Sequence, residues 1–338
     1  MEELNQRKEK RIDGLDSLRF LAFLMVFLFH TSDIFFFGFL GVDFFFVLSS
    51  FILTYLANLE IEKTSKFSKR NFFIRRVLRI FPLYYLVLAF SLLVLPALAS
   101  IFEVEITLPA KEWYFWFFLS NYDNDQYLLP LKFLWSIAVE EQFYLLFLIL
   151  SIFFTKNFWY VIFVLLTVYI IHAASDAYFG WEQYKTVSFH LVNFSFGMAA
   201  GYLYFQNRLS HKFLKSKILF PLFFVVSALI YASVDYSMLF NIFLSLDFVL
   251  LIFITIKVTL ERQGTSLVFR TTEYLGKYTY GLYVYSGFVI VFCNIFLGIE
   301  NKILKVLIEL ILLFIISFFS YHLFEKQFLK LKKIYRKV

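Results

Sequence analysis

Phe133-Leu134-Trp135-Ser136-Ile137-Ala138-Val139-Glu140-Glu141-Gln142-Phe143-Tyr144-Leu145-Leu146-Phe147-Leu148-Ile149-Leu150-Ser151-Ile152-Phe153-Phe154 is the stretch that decides the fold. It contains no Gly or Pro and is about as long as the ~20 residues an α-helix needs to cross the hydrocarbon of a bilayer. It therefore reads as a membrane-spanning helix, with two adjacent carboxylates and an amide set into an otherwise apolar surface. A charge at that depth costs several kcal/mol unless it faces a cavity or a partner, so Glu140 and Glu141 are candidate functional residues. Neighbouring helical positions point about 100° apart, which turns one carboxylate toward a cavity and the other toward a neighbouring helix. Counted from residue 133, both lie roughly 10–12 Å along the helix axis, a depth comparable to that of His30.

Similar apolar runs recur near 17–36, 42–60, 80–100, 158–174, 187–206, 218–234, 239–256, 278–297 and 303–324. The 338 residues are 61% hydrophobic and 17% charged, with 50 Phe, outside the usual range of soluble domains. The expectation is a single all-α domain over 1–338, a polytopic transmembrane helix bundle of about ten spans. Placing the N-terminus in the cytoplasm leaves only Lys111, Lys132, Lys185, Lys302 and Lys305 outside among all Lys and Arg. Both termini are then cytoplasmic, as a tail over 1–16 and a basic tail over 325–338. The net charge of +7 is an orientation signal and an attraction to anionic lipid, with no nucleic-acid partner indicated. The longest outer connection, 101–132, holds the aromatic stretch Trp113 to Phe118, which suits a segment lying in the membrane interface or one that caps a cavity.

Other polar residues fall inside or beside the spans. Arg19 and His30 are eleven residues apart, so they share one face of the first helix at a separation of ~16 Å. Asp43 opens the second helix at a depth similar to that of His30, and such a pair supplies an orienting carboxylate and a general base. Arg75, Arg76 and Arg79 fall on one helical side and form a guanidinium clamp suited to phosphate. Each has an ordinary alternative: an inner-edge residue for Arg19, a helix-bridging hydrogen bond for His30, an N-cap for Asp43, and a purely topogenic role for the arginines. Cys293, the one cysteine, reads as a buried filler, and no histidine pair has metal-ligand spacing, so no metal is assigned. Asp247, Glu309 and Glu325 read as acids with local polar partners.

The Arg19 to His30 spacing, the Gly41-Val42-Asp43-Phe44-Phe45-Phe46-Val47-Leu48-Ser49 run, the Arg75-Arg76-x-x-Arg79 cluster and the Trp135 to Tyr144 segment together resemble the acyltransferase type 3 family. A weaker echo continues through Phe196-Gly197, Leu275 to Tyr283 and Phe324-Glu325-Lys326. Ser50, Ser286 and Gln327 depart from the family pattern, and Ser286 stands where a second histidine is often found.

The resemblance implies an inner-membrane O-acyltransferase that takes an acyl group, usually acetyl, from cytoplasmic acyl-CoA and places it on a hydroxyl of a cell-surface or lipid-linked glycan. It also implies that this chain ends too early for the extra esterase-like domain of some members. In that reading His30, Asp43, Glu140 and Glu141 are catalytic, while Arg19, Arg75, Arg76 and Arg79 hold the donor. His30 either removes the acceptor's proton or carries the acyl group itself. The reading from another class is a transporter or flippase for a lipid-linked glycan, which would also need buried charges but for which no inverted repeat is found.

Overall fold

The computed structural model describes residues 12–32, 35–123, 127–179, 184–207, 222, 225–229, 238–261 and 266–335. Among these no β-strand occurs, and the chain is an all-helical bundle. Its principal helices are α1 (Leu15–Thr31), α2 (Leu40–Thr64), α3 (Lys69–Ala89), α4 (Leu134–Leu150), α5 (Phe158–Phe179), α6 (Leu191–Phe205), α7 (Met238–Glu261), α8 (Leu267–Leu275), α9 (Thr279–Phe292), α10 (Lys302–Ser320) and α11 (Lys326–Lys332).

Seven helical stretches are long and apolar enough to cross a membrane: Phe36–Thr64, Lys69–Ile101, Leu129–Phe153, Phe158–Ser175, Met238–Leu260, Leu267–Leu297 and Lys302–Lys332. The protein is a multi-pass membrane protein. Two more of the ten expected runs form the shorter helices α1, of 17 residues, and α6, of 15. The remaining run, near 218–234, lies largely outside the described residues.

Helix α2 is the hub. It is buried along most of its length, and its most extensive partner is α6. Gly197 and Gly201, one turn apart on α6, lie directly against the backbone carbonyls of Val47 and Phe51. A side chain at either glycine would collide with main chain, so the small-xxx-small spacing sets how closely the two helices approach. At the other side of α2, Gly41 rests on the Ala22 carbonyl and lets α1 pack against its first turn.

The helix starts are set by local chemistry. The Ser68 side chain accepts from the Asn71 amide at 3.4 Å to begin α3, and Asn301 accepts from the Leu304 amide at 3.0 Å to begin α10. Pro82 sits inside α3, a position tolerated where neighbouring helices supply hydrogen bonds.

The 101–132 connection departs from the interfacial segment expected. Trp113 and Phe117 are exposed, but Phe115 and Phe118 are buried, and the segment packs against the middles of α3 and α4. Tyr84 donates to the Phe115 carbonyl at 2.7 Å, and Gln142 donates to the Phe118 carbonyl at 2.8 Å and to Asn121 Oδ1 at 2.7 Å. Irregular backbone is tolerated at this level when protein side chains satisfy it, which is what Tyr84 and Gln142 do.

Candidate active site

Charged and polar side chains from four helices converge on one cavity of about 100 Å3. Arg19 comes from α1, Ser49 from α2, Arg76 and Arg79 from α3, and Glu140 and Tyr144 from α4. The aromatic residues Phe45, Tyr280 and Tyr283 close its sides. Glu140 and Tyr144 are four residues apart and so lie on one face of α4. The Glu140 carboxylate accepts from Tyr144 Oη and, at 2.6 Å, from Ser49 Oγ, while Ser49 and Tyr144 lie 3.0 Å apart. This triangle is complete within the protein.

The arginines are not. Arg19 is held by Asp16 at 2.6 Å, one turn earlier on α1. Arg76 lies over the rings of Phe72 and Tyr144, 5.6 and 5.3 Å from their centroids, and its buried Nε has no hydrogen-bond partner. Arg79 makes no hydrogen bond or ion pair among the described residues, although it lines the cavity within electrostatic reach of Arg19 and Arg76. A guanidinium presents five donors, so among the described residues this side of the cavity carries more hydrogen-bond donors than acceptors.

Arg75 separates from this cluster. It donates from Nη2 to Glu60 at 3.1 Å and from Nη1 to the Tyr335 carbonyl at 2.7 Å, so it ties α3 to α2 and to the C-terminal segment. The expected clamp of three arginines is therefore a pair, Arg76 and Arg79, joined by Arg19.

The two glutamates also diverge. Glu140 lines the cavity, whereas Glu141 is buried between helices, outside the cavity lining, with Oε1 unpartnered. Glu140 does not share the depth of His30. The His30 ring rests on Phe133, 4.5 Å between centroids, at the start of α4, and Glu140 lies about 10 Å further along that helix, at the arginine end. His30 itself is exposed and also packs edge-on to Phe29 at 5.1 Å. Rings connect the two levels: Phe133 meets Tyr283 at 5.5 Å, and Tyr283 meets Phe45 at 6.2 Å, both of the latter lining the cavity. Tyr283 Oη and Ser136 Oγ, 2.7 Å apart, are the polar groups along this track.

The expected pairing of Asp43 with His30 is absent. Asp43 is completely buried and is engaged by three other groups: Asn193 Nδ2 at 2.7 Å, His190 Nδ1 at 3.1 Å and Tyr184 Oη at 3.2 Å. Ser245 donates to Asn193 Oδ1 at 2.5 Å and extends this network to α7. The partners lie some 140 or more residues away in sequence, and Asp43 serves α2, α6 and the segment before α6 at once.

Several residues of the site were not singled out by sequence reasoning. Ser49 and Tyr144 carry the weak signal of sharing a helical face with, or lying opposite, Glu140. Tyr283 stands in the Tyr-rich stretch and gives no further hint of its place. Ser286, the departure from the family pattern, donates back to the Leu282 carbonyl of its own helix at 2.7 Å. Among the described residues, no group of three or more His, Cys, Asp or Glu side chains is arranged to hold a metal ion.

A family model described as an acyltransferase domain matches residues 12–322. O-acetyltransferase OatA of Staphylococcus aureus strain NCTC 8325 / PS 47 is 37% identical over 163 residues, which is 44% of this chain and 26% of OatA, and OatA of strain MRSA252 gives the same figures. The S. aureus protein SACOL0978 of strain COL is 35% identical over 150 residues, 42% of this chain and 25% of its own length. The chain thus spans about a quarter of the length of these relatives. No solved structure matches it. The match across nearly the whole bundle, cavity included, establishes that the chain belongs to the acyltransferase type 3 family.

Proposed function

We propose that this protein is an O-acyltransferase of the bacterial inner membrane that moves an acetyl group from acetyl-CoA, bound from the cytoplasmic side, to a hydroxyl of a cell-surface or lipid-linked glycan. The observation that carries this reading is Arg79, a guanidinium inside a membrane helix with no acceptor among the described residues, set beside Arg76 and Arg19. The phosphates of coenzyme A are the anions that such a group fits, because guanidinium donors match phosphate oxygens two at a time. The relatives' O-acetyltransferase names favour acetyl as the group carried and a hydroxyl as its acceptor.

The rest follows from levels in the bundle. Arg19 and His30 lie on one helix about 16 Å apart, so a donor with its phosphates at the arginines extends its thioester arm along α1 toward His30. Phe133, Tyr283 and Phe45 line that track with apolar surface, which excludes water from the thioester. At the far end His30 accepts the proton of the acceptor hydroxyl as its oxygen attacks the thioester carbonyl. The C–S bond then breaks, and the departing thiolate of coenzyme A takes up a proton. In the two-step form the imidazole first takes the acyl group and then yields it to the hydroxyl.

Glu140, with Ser49 and Tyr144, belongs to the donor end and offsets part of the arginine charge. Asp43 acts as a positioning residue through α2, which carries Ser49 and Phe45, and Glu141 positions α4 from the side away from the cavity. The test is release of free thiol from acetyl-CoA by the purified protein supplied with a glycan acceptor. Wild type is expected to release thiol and His30→Ala to lose it while still binding coenzyme A. Movement of a lipid-linked glycan across the bilayer without thiol release would replace this reading by transport.

A further inference from the structure

The C-terminal helix packs a cation against α3, the helix that carries Arg76 and Arg79 of the cavity. Along α11, Lys326, Gln327 and Lys330 are exposed, whereas Phe328, Leu329 and Lys332 are partly buried, the spacing of a single helical face. That face lies against α3. Arg75 fixes it there, since its guanidinium joins Glu60 of α2 to the Tyr335 carbonyl just beyond α11. Lys332 is thus carried inward as the other lysines of the helix turn outward. It makes no hydrogen bond or ion pair among the described residues, and the charges that act on it most are all positive: Arg79, Arg76, Arg19 and Arg75. A partly buried ammonium among guanidinium groups is unfavourable in the empty protein and becomes favourable once a polyanion enters.

We infer that Lys332 is a ligand for the phosphates of the acyl-CoA donor, brought to the arginine cavity by the C-terminal helix, and that Arg75 is the latch holding that helix in place. The inference rests on the reading of the cavity as the coenzyme A site. It turns the basic C-terminal segment from an orientation signal into part of the binding site, and it gives Arg75 a role at that site without contact with the donor.

The test is titration of the full-length protein, purified in detergent free of anionic lipid, with coenzyme A as the probe. Lys332→Gln is expected to weaken binding about tenfold, and Lys332→Arg to stay within about threefold of wild type. Relief of like-charge repulsion should leave the melting temperature of ligand-free Lys332→Gln equal to or above that of wild type, which a merely structural lysine would not do. Lys332→Met repeats the measurement should the glutamine variant fail to fold. Wild-type affinity in the neutral variants, with weakened binding in Arg79→Gln, would overturn the role of Lys332 and leave the cavity assignment standing. Wild-type affinity in Arg79→Gln as well would overturn the cavity assignment itself. Unchanged coenzyme A binding together with lost retention of added phosphatidylglycerol would assign Lys332 to a lipid headgroup and overturn the inference.

Discussion

Two buried polar clusters in this bundle differ in one respect, and that difference separates structure from function. Around Asp43 the polar groups come from α2, α6, α7 and the segment before α6, and the carboxylate itself is met by an amide, an imidazole and a phenol. Around Arg79 the charges come from equally distant parts of the chain, yet three guanidinium groups, of which Arg19 is paired with Asp16, share the cavity with one carboxylate that two hydroxyls already engage. A buried charge with protein partners holds helices together, whereas one without them is held in place by the fold for something else to meet. The cavity is therefore the place to look for a ligand, and the Asp43 network is the frame that keeps it in shape.

The comparison can be broken in graded ways. The largest effect is expected at His30, beyond the aromatic track: His30→Ala should lower turnover by roughly 10²–10⁴-fold, the range for a lost general base, with coenzyme A affinity unchanged. Measured turnover near that of wild type would remove His30 from the reaction. Next comes the frame. Asp43→Ala removes the carboxylate that His190, Asn193 and Tyr184 share and should destabilise the bundle by about 3 kcal/mol or more, seen as a lower melting temperature and poorer yield. Normal stability with weakened donor binding would show that the frame is part of the site.

Arg79→Gln should do the opposite. It is expected to weaken coenzyme A binding by about 1.5–3 kcal/mol, the value of charged hydrogen bonds, without lowering the melting temperature of the ligand-free protein. The smallest effect is expected at Tyr144→Phe, which removes one hydrogen bond from Glu140 and should shift donor affinity or stability by about 1 kcal/mol. A larger loss of turnover than of affinity there would place the Glu140 triangle at the reacting atoms.

Much of this was legible in the sequence because it depends on one helix at a time. Apolar runs with charges inside them give membrane helices and name Arg19, the Arg75, Arg76 and Arg79 cluster and the Glu140 and Glu141 pair as residues needing a cavity or a partner. The residues that were misplaced are those whose role is set by distant chain. Arg75 shares a helical stripe with Arg79, and Glu60 of α2 together with the C-terminal segment, 260 residues away, holds it out of the cavity. Asp43 matches His30 in depth along the chain, but Asn193 and Tyr184, 150 and 141 residues on, claim its oxygens. Depth counted from the start of an apolar run put Glu140 beside His30. The helix begins against His30 at Phe133 and carries Glu140 past it to the arginines.

The same reasoning explains the connection over 101–132. Its aromatic content suits an interface, and only the polar reach of Gln142 and Tyr84 shows that part of it inserts between helices.

The central claim, that donor and acceptor meet at His30 across this bundle, is tested most directly by mass spectrometry of surface glycans from cells carrying the wild-type gene, the His30→Ala gene and a deletion. The account predicts acetyl esters on a glycan with the wild-type gene and their absence from both others. The same esters in all three strains would contradict it.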